Sequence, residues 1–251
     1  MQTTPLLPAH AALFLDFDGT LIALAPTPEG IVLPSTIVPL LTDLHALLSG
    51  AVAVVSGRTL AMIDRHLMPL QLPVAAEHGA QRRDACGKVH AHHLPDGDAI
   101  AQACLALAGQ HPGLLVERKQ AAIALHYRQA PQLEALCRHT LQALVQGRPD
   151  LVLMQGKCVL EVLPAQVNKG HAIAAFLQQR PFVARMPVFV GDDTTDEAGF
   201  ATVQALGGMA VKVGAGPSAA RHRLESPAAV QAWLTAARDQ LQARLHCELL
   251  S

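Results

Sequence analysis

Asp16 and Asp18 stand two positions apart in the run LFLDFDGTL, residues 13–21, directly after a short apolar stretch. Two ionised carboxylates at that spacing repel, so either one holds a proton or a cation lies between them. Both states serve chemistry, the first as a general acid and the second as a metal-held nucleophile. Gly19 permits a tight bend and Thr20 adds a hydroxyl. A D-x-D-G turn by itself is also an ordinary polar turn, so the other polar groups of the chain must decide. Ser56-Gly57-Arg58 follows the apolar run AVAVV. Gly191-Asp192-Asp193-Thr194-Thr195-Asp196-Glu197 follows PVFV, and Lys169 stands in Asn168-Lys169-Gly170.

These groups can meet only if the elements carrying them end at one place. Residues 13–15, 51–55, 74–76 and 187–190 read as buried strands, each followed by polar residues, with helical spacing between them at 35–48 and after Thr59 and Asn168. Alternating strands and helices of this kind predict an open parallel α/β sheet, whose strand ends share one crevice. Asp16, Asp18, Asp192, Asp193 and Asp196 then crowd together, and so many anions need compensation. The donors are all oxygens, which points to Mg²⁺ rather than zinc. Lys169 adds a fixed positive charge.

Such a set suits phosphoryl transfer. Asp16 could attack phosphorus, Asp18 could protonate the departing oxygen, and Ser56 with Lys169 could hold the equatorial oxygens. Each residue alone has a plainer reading. Ser56 is a turn residue, Lys169 a solvated lysine, Asp192 an N-cap, and Asp193 and Glu197 are acids favoured by a helix dipole.

Between residues 81 and 164 the texture changes to helical segments at 98–108 and 132–145 interleaved with strands at 114–119, 121–128, 151–155 and 158–163. This predicts an inserted α+β unit, with the core formed by 1–80 and 165–251. Period-two alternation puts Glu117 with Lys119, and His126 with Arg128, on common faces. With Lys157 and Glu161 they make a charged face that suits sugar hydroxyls. A merely wetted sheet face would show the same pattern.

Composition narrows the classes. The 251 residues are 51% apolar and 16% charged, which excludes a disordered chain, and the net charge of -1 with mixed signs offers no nucleic-acid or anionic-membrane footprint. Five scattered cysteines, none in a C-x-x-C pair, suggest reduced thiols. With no leader and no spanning apolar stretch, a soluble, cytoplasmic protein is expected. His90, His92 and His93 lack the pattern of a metal site, and the sequence leaves the oligomeric state open, a monomer being compatible with it.

The motifs DFDGT at Asp16, VVSGR at Ser56, NKG at Lys169 and GDDTTDE at Asp192 resemble those of the haloacid dehalogenase-like phosphatases, in order and across the whole chain. The insertion is similar to the larger C2B cap of sugar-phosphate phosphatases. EHGA at Glu77, ERKQAAIALHYR at 117–128 and QGKCVLEVLP at 155–164 are similar to the trehalose-6-phosphate phosphatases, with Leu163 where relatives often carry a basic residue. The resemblance implies a Rossmann-like core with an α+β cap that closes over the substrate. It also implies hydrolysis of trehalose 6-phosphate through an aspartyl phosphate on Asp16, with Asp18 as acid and base. Mg²⁺ would be held by Asp16, the Asp18 carbonyl and Asp192. Arg58, Glu77, His78, Glu117, Lys119, His126, Arg128, Lys157 and Glu161 are the expected substrate contacts. The rivals are a phosphatase for sucrose or mannosylglycerate phosphates and a phospho-accepting receiver module.

Overall fold

The computed structural model describes residues 4–24, 31, 33–119, 121–156 and 158–249. In chain order the elements are β1 (Ala11–Leu15), α1 (Ile37–Leu47), β2 (Val52–Val55), α2 (Leu60–Leu67), β3 (Val74–Ala76), β4 (Gln81–Arg83) and β5 (Val89–Ala91). There follow α3 (Gly97–Gln110), β6 (Leu115–Arg118), β7 (Ile123–His126), α4 (Glu134–Val145), β8 (Leu151–Gly156) and β9 (Val159–Pro164). The chain ends with α5 (Lys169–Leu177), β10 (Met186–Gly191), α6 (Glu197–Ala205), β11 (Met209–Val213), β12 (His222–Leu224) and α7 (Pro227–Leu249). Two compact units result, one from the chain up to Val89 and from Asn168 onward, the other from His90–Val167.

Among the described residues an eight-stranded sheet runs in the order β12-β11-β10-β1-β2-β3-β4-β5, all of it in the first unit except His90 and Ala91 of the edge strand β5. From β12 to β3 the pairs are parallel, with Leu13 opposite Val188 on one side and Val52 on the other. Every residue of β1, β2, β10 after Met186, and β11 is buried, as a sheet covered on both faces requires, which is why these strands read as unbroken apolar runs. The chain leaves β1 for β2 and β3 on one side and returns to β10 on the other, so β1 lies at the switch of direction where such sheets bind ligands.

Packing then fixes β1 against α5. Phe14 stacks on Phe182 at 5.3 Å between centroids and meets Phe176 of α5 at 5.9 Å. Pairs of this kind contribute about 0.5–1.5 kcal/mol each beyond burial. Since Phe14 precedes Asp16 by two residues and Phe176 follows Lys169 on α5, this cluster sets the separation of those two side chains.

The unit boundary lies after Val89, not at residue 81 where the texture changes. The reason is pairing: β4 runs antiparallel to β3, with Ala75 opposite Arg82, and Arg83 donates to both carboxylate oxygens of Asp64 on α2 at 2.7 and 2.6 Å. Residues 81–83 therefore extend the first sheet. The second unit is a four-stranded antiparallel sheet, β6-β7-β9-β8. Ile123, Leu125, Leu160 and Val162 pack from one face into a core with Cys104 of α3 and Cys137 and Leu141 of α4.

Candidate active site

Parallel pairing carries Asp16, Ser56, Glu77 and Asp192 to the same edge, because each directly follows the carboxyl end of β1, β2, β3 or β10. Lys169 enters from the start of α5, where Asn168 caps the helix by accepting the His171 N–H at 2.9 Å. Its ammonium is 3% exposed and donates to Asp16 Oδ1 and to Asp196 Oδ1, both at 2.6 Å. Asp16 is 4% exposed and Asp196 fully buried. Asp16, Asp192 and Asp196 each bring an oxygen within 4.8 Å of the others.

Burial pushes the Asp16 carboxyl well above the usual carboxylate range; Lys169 opposes this, and Asp196 and Asp192 add to it. Asp192 rises to about 6, first through burial and then through Asp196 and Asp193. Burial by itself would depress the Lys169 ammonium, but the two acids outweigh it and its pKa rises. A single cation does not balance this many anions, so the cluster has room for another positive charge.

The donor set fits a hard divalent cation: every candidate ligand is an oxygen. Asp196 has both oxygens in use, Oδ1 on Lys169 and Oδ2 on the N–H groups of Asp192 and Asp193, each at 2.9 Å. Asp16 and Asp192 are therefore the carboxylates placed to hold the cation. Gly19, at φ 77°, makes their approach possible, since a side-chain carbon there would lie 2.1 Å from Asp192 Oδ2. Asp196 was the partner that sequence spacing left without a role. Its signal is the four-residue step from Asp192, which brings it back over the start of its own turn.

Asp18 is gripped by Arg58, whose Nε and Nη2 donate to its two carboxylate oxygens at 2.6 and 2.7 Å. Ser56 Oγ is buried and accepts the Arg58 N–H at 3.1 Å, which leaves the hydroxyl hydrogen to donate. Glu77 and His78 adopt left-handed backbone, φ 48° and 59°, held by N–H bonds to the Arg58 and Ser56 carbonyls at 2.9 Å. Such conformations cost about 1–3 kcal/mol each and gather at functional sites. The His78 ring lies over Gly57, where a side-chain carbon would stand 2.6 Å from Cε1.

In the second unit, Glu117 and Glu161 share one row of the sheet across Ala124. Lys119 Nζ donates to Glu161 Oε1 at 2.6 Å and His126 Nε2 meets Glu117 Oε2 at 2.8 Å. Glu117, Lys119, His126 and Glu161 thus form one Lys–Glu ion pair and one His–Glu hydrogen-bonded pair. Arg128 does not join the His126 face: β7 stops at His126 and Arg128 lies in the exposed turn beyond it. Lys157 lies outside the described residues.

Sequence reasoning also passed over Lys212. It is 6% exposed, on β11 opposite Gly191, and donates to the main-chain carbonyls of Asp192 and Val213 at 2.5 and 2.6 Å. A lone lysine in the run MAVKV gives no sequence signal of this.

The sequence model of a family described as Trehalose-phosphatase matches residues 14–229. The Trehalose-6-phosphate phosphatase of Escherichia coli is 45% identical over 244 residues, covering 96% of this chain and 92% of that one. The Probable trehalose-phosphate phosphatase of Sinorhizobium fredii is 43% identical over 205 residues, covering 81% and 77%. The solved C-terminal domain of the C. albicans trehalose-6-phosphate phosphatase is 22% identical, with a TM-score of 0.78 over 92% of each chain, a likeness of fold alone.

Proposed function

The chain belongs to the trehalose-phosphatase family, and from that premise we propose that it hydrolyses trehalose 6-phosphate to trehalose and phosphate at Asp16, with Mg²⁺. The observation that carries the reading is the buried Lys169 ammonium bridging Asp16 and Asp196 within an all-oxygen cluster at the switch point of the sheet.

An Asp16 carboxylate oxygen attacks phosphorus and the bond from phosphorus to the sugar oxygen breaks. In the described arrangement Arg58 occupies both Asp18 oxygens, so the acid step requires the guanidinium to leave Asp18 for the substrate; Asp18, then carrying a proton, gives it to that oxygen, releasing trehalose. Asp18 next takes a proton from water, whose oxygen attacks the aspartyl phosphate. The bond between phosphorus and Asp16 then breaks, restoring the carboxylate and freeing phosphate. Two of the three Lys169 hydrogens serve Asp16 and Asp196, and the third reaches a phosphate oxygen together with the Ser56 hydroxyl. The Asp16 and Asp192 carboxylates and the Asp18 carbonyl would hold Mg²⁺, which would supply charge screening between the nucleophile and the phosphate.

Arg58, Glu77 and His78 contribute substrate contacts from the first unit. Glu117, Lys119, His126 and Glu161 on its sheet, with Arg128 from the turn beyond that face and Lys157, select the sugar from the second, which acts as the cap. The Lys119–Glu161 and His126–Glu117 pairs on that sheet support this, since hydroxyls are recognised by paired donors and acceptors. Scattered cysteines support work in the reducing cytoplasm, and no described helix is long and apolar enough to cross a membrane.

Phosphate release from trehalose 6-phosphate with Mg²⁺ is the direct assay. Wild type should turn over, with Asp16→Asn inactive. An inert wild type, or an active Asp16→Asn, overturns the reading.

A further inference from the structure

Asp192 is held from both sides of its main chain. The Asp196 carboxylate accepts its N–H and that of Asp193, each at 2.9 Å. The Lys212 ammonium donates to its carbonyl at 2.5 Å. The peptide joining Asp192 to Asp193 is thus gripped at its oxygen by a cation and at its N–H by an anion. With the peptide on its other side tied as well, the two backbone torsions of Asp192 are fixed, and with them the direction of its Cα–Cβ bond, from which the carboxylate is placed.

We propose that Lys212 is a positioning residue: through the Asp192 carbonyl it keeps that carboxylate aimed at Asp16, ready for the divalent cation. This rests on Asp192 being a metal-holding group. A buried lysine spent on two main-chain carbonyls is a costly way to make a plain structural staple, because a buried ammonium must offset its own desolvation. At this place it steadies a ligand through that ligand's main chain, as outer partners of metal ligands do.

The test is the Mg²⁺ affinity of the metal-free full chain by titration calorimetry, beside thermal midpoint and steady-state kinetics. Lys212→Gln keeps a donor without the charge, and Lys212→Arg keeps the charge. Lys212→Gln should bind Mg²⁺ about 10–100-fold more weakly, with the substrate KM at saturating Mg²⁺ near wild type and partial recovery in Lys212→Arg. Lys212→Gln with wild-type Mg²⁺ affinity overturns the proposal, as does a loss no larger than that of an equally destabilised variant in the second unit, such as Leu141→Ala. Asp192→Asn separates the premise from the inference. Unchanged affinity there sinks the assignment of Asp192, whereas a loss there with none in Lys212→Gln sinks the role of Lys212 alone.

Discussion

Lys169 donates to Asp16 and Asp196 while Asp192 lies in the same cluster, so one ammonium faces three acids. Removing it with Lys169→Met strands two buried carboxylates. Loss of one partner of a buried pair costs about 3–5 kcal/mol, so a fall of that size in unfolding free energy near neutral pH is expected, along with lost turnover. The remaining imbalance has a pH signature. With its pKa raised to about 6 from 3.8, Asp192 binds a proton more readily folded than unfolded. Between those values the folded state holds more protons, so the stability of the metal-free protein falls as pH rises through that window. On the proposed assignment Mg²⁺ competes with the proton for the same oxygens. Its stabilising effect should therefore be larger at about pH 7.5 than at about pH 5, read as the change in thermal midpoint between chelator and Mg²⁺. An equal shift at both pH values would contradict the assignment.

At the scale of elements, the site depends on where strands and helices stop. Asn168 caps α5 one residue before Lys169, so Asn168→Ala should lower stability by about 1 kcal/mol and reduce kcat more than KM as the ammonium loses its fixed origin. Equal kcat with only a lower midpoint would make the cap purely structural. The turn after β1 is more exacting. Gly19 combines φ 77° with a close approach to Asp192. Gly19→Ala should therefore weaken Mg²⁺ binding as well as activity, measurable by the same calorimetry, because the added methyl displaces a ligand. Much of this was legible: Asp16, Ser56 and Asp192 all follow apolar runs, and strand ends are marked locally by composition. Residues 81–83 were misleading because their polar sequence, QRR, looks foreign to a buried sheet, yet arginine can pair with Asp64 at its margin.

At the scale of the molecule, the proposed reading assigns chemistry and selection to separate units. The acids and Lys169 belong to the first, and the Glu117–His126 and Lys119–Glu161 pairs to the second. Glu117→Gln, on a half-exposed pair, should raise KM for trehalose 6-phosphate several-fold while leaving kcat/KM for a small aryl phosphate near wild type. Equal losses on both substrates would show that this face does not read the sugar.

The sequence by itself determined the parallel α/β core, the antiparallel sheet of the insertion, and the strand ends that carry Asp16, Ser56 and Asp192. Hydrophobic period and turn chemistry are local, and they survive in a linear string. Only the tertiary structure decided that Asp196 shares Lys169 with Asp16, that Arg58 grips Asp18, that Lys212 holds the Asp192 carbonyl, and that β4 belongs to the first sheet. Those outcomes join residues far apart in the chain, and they follow from strand order and from the need of each buried charge for a partner, neither of which a local pattern contains.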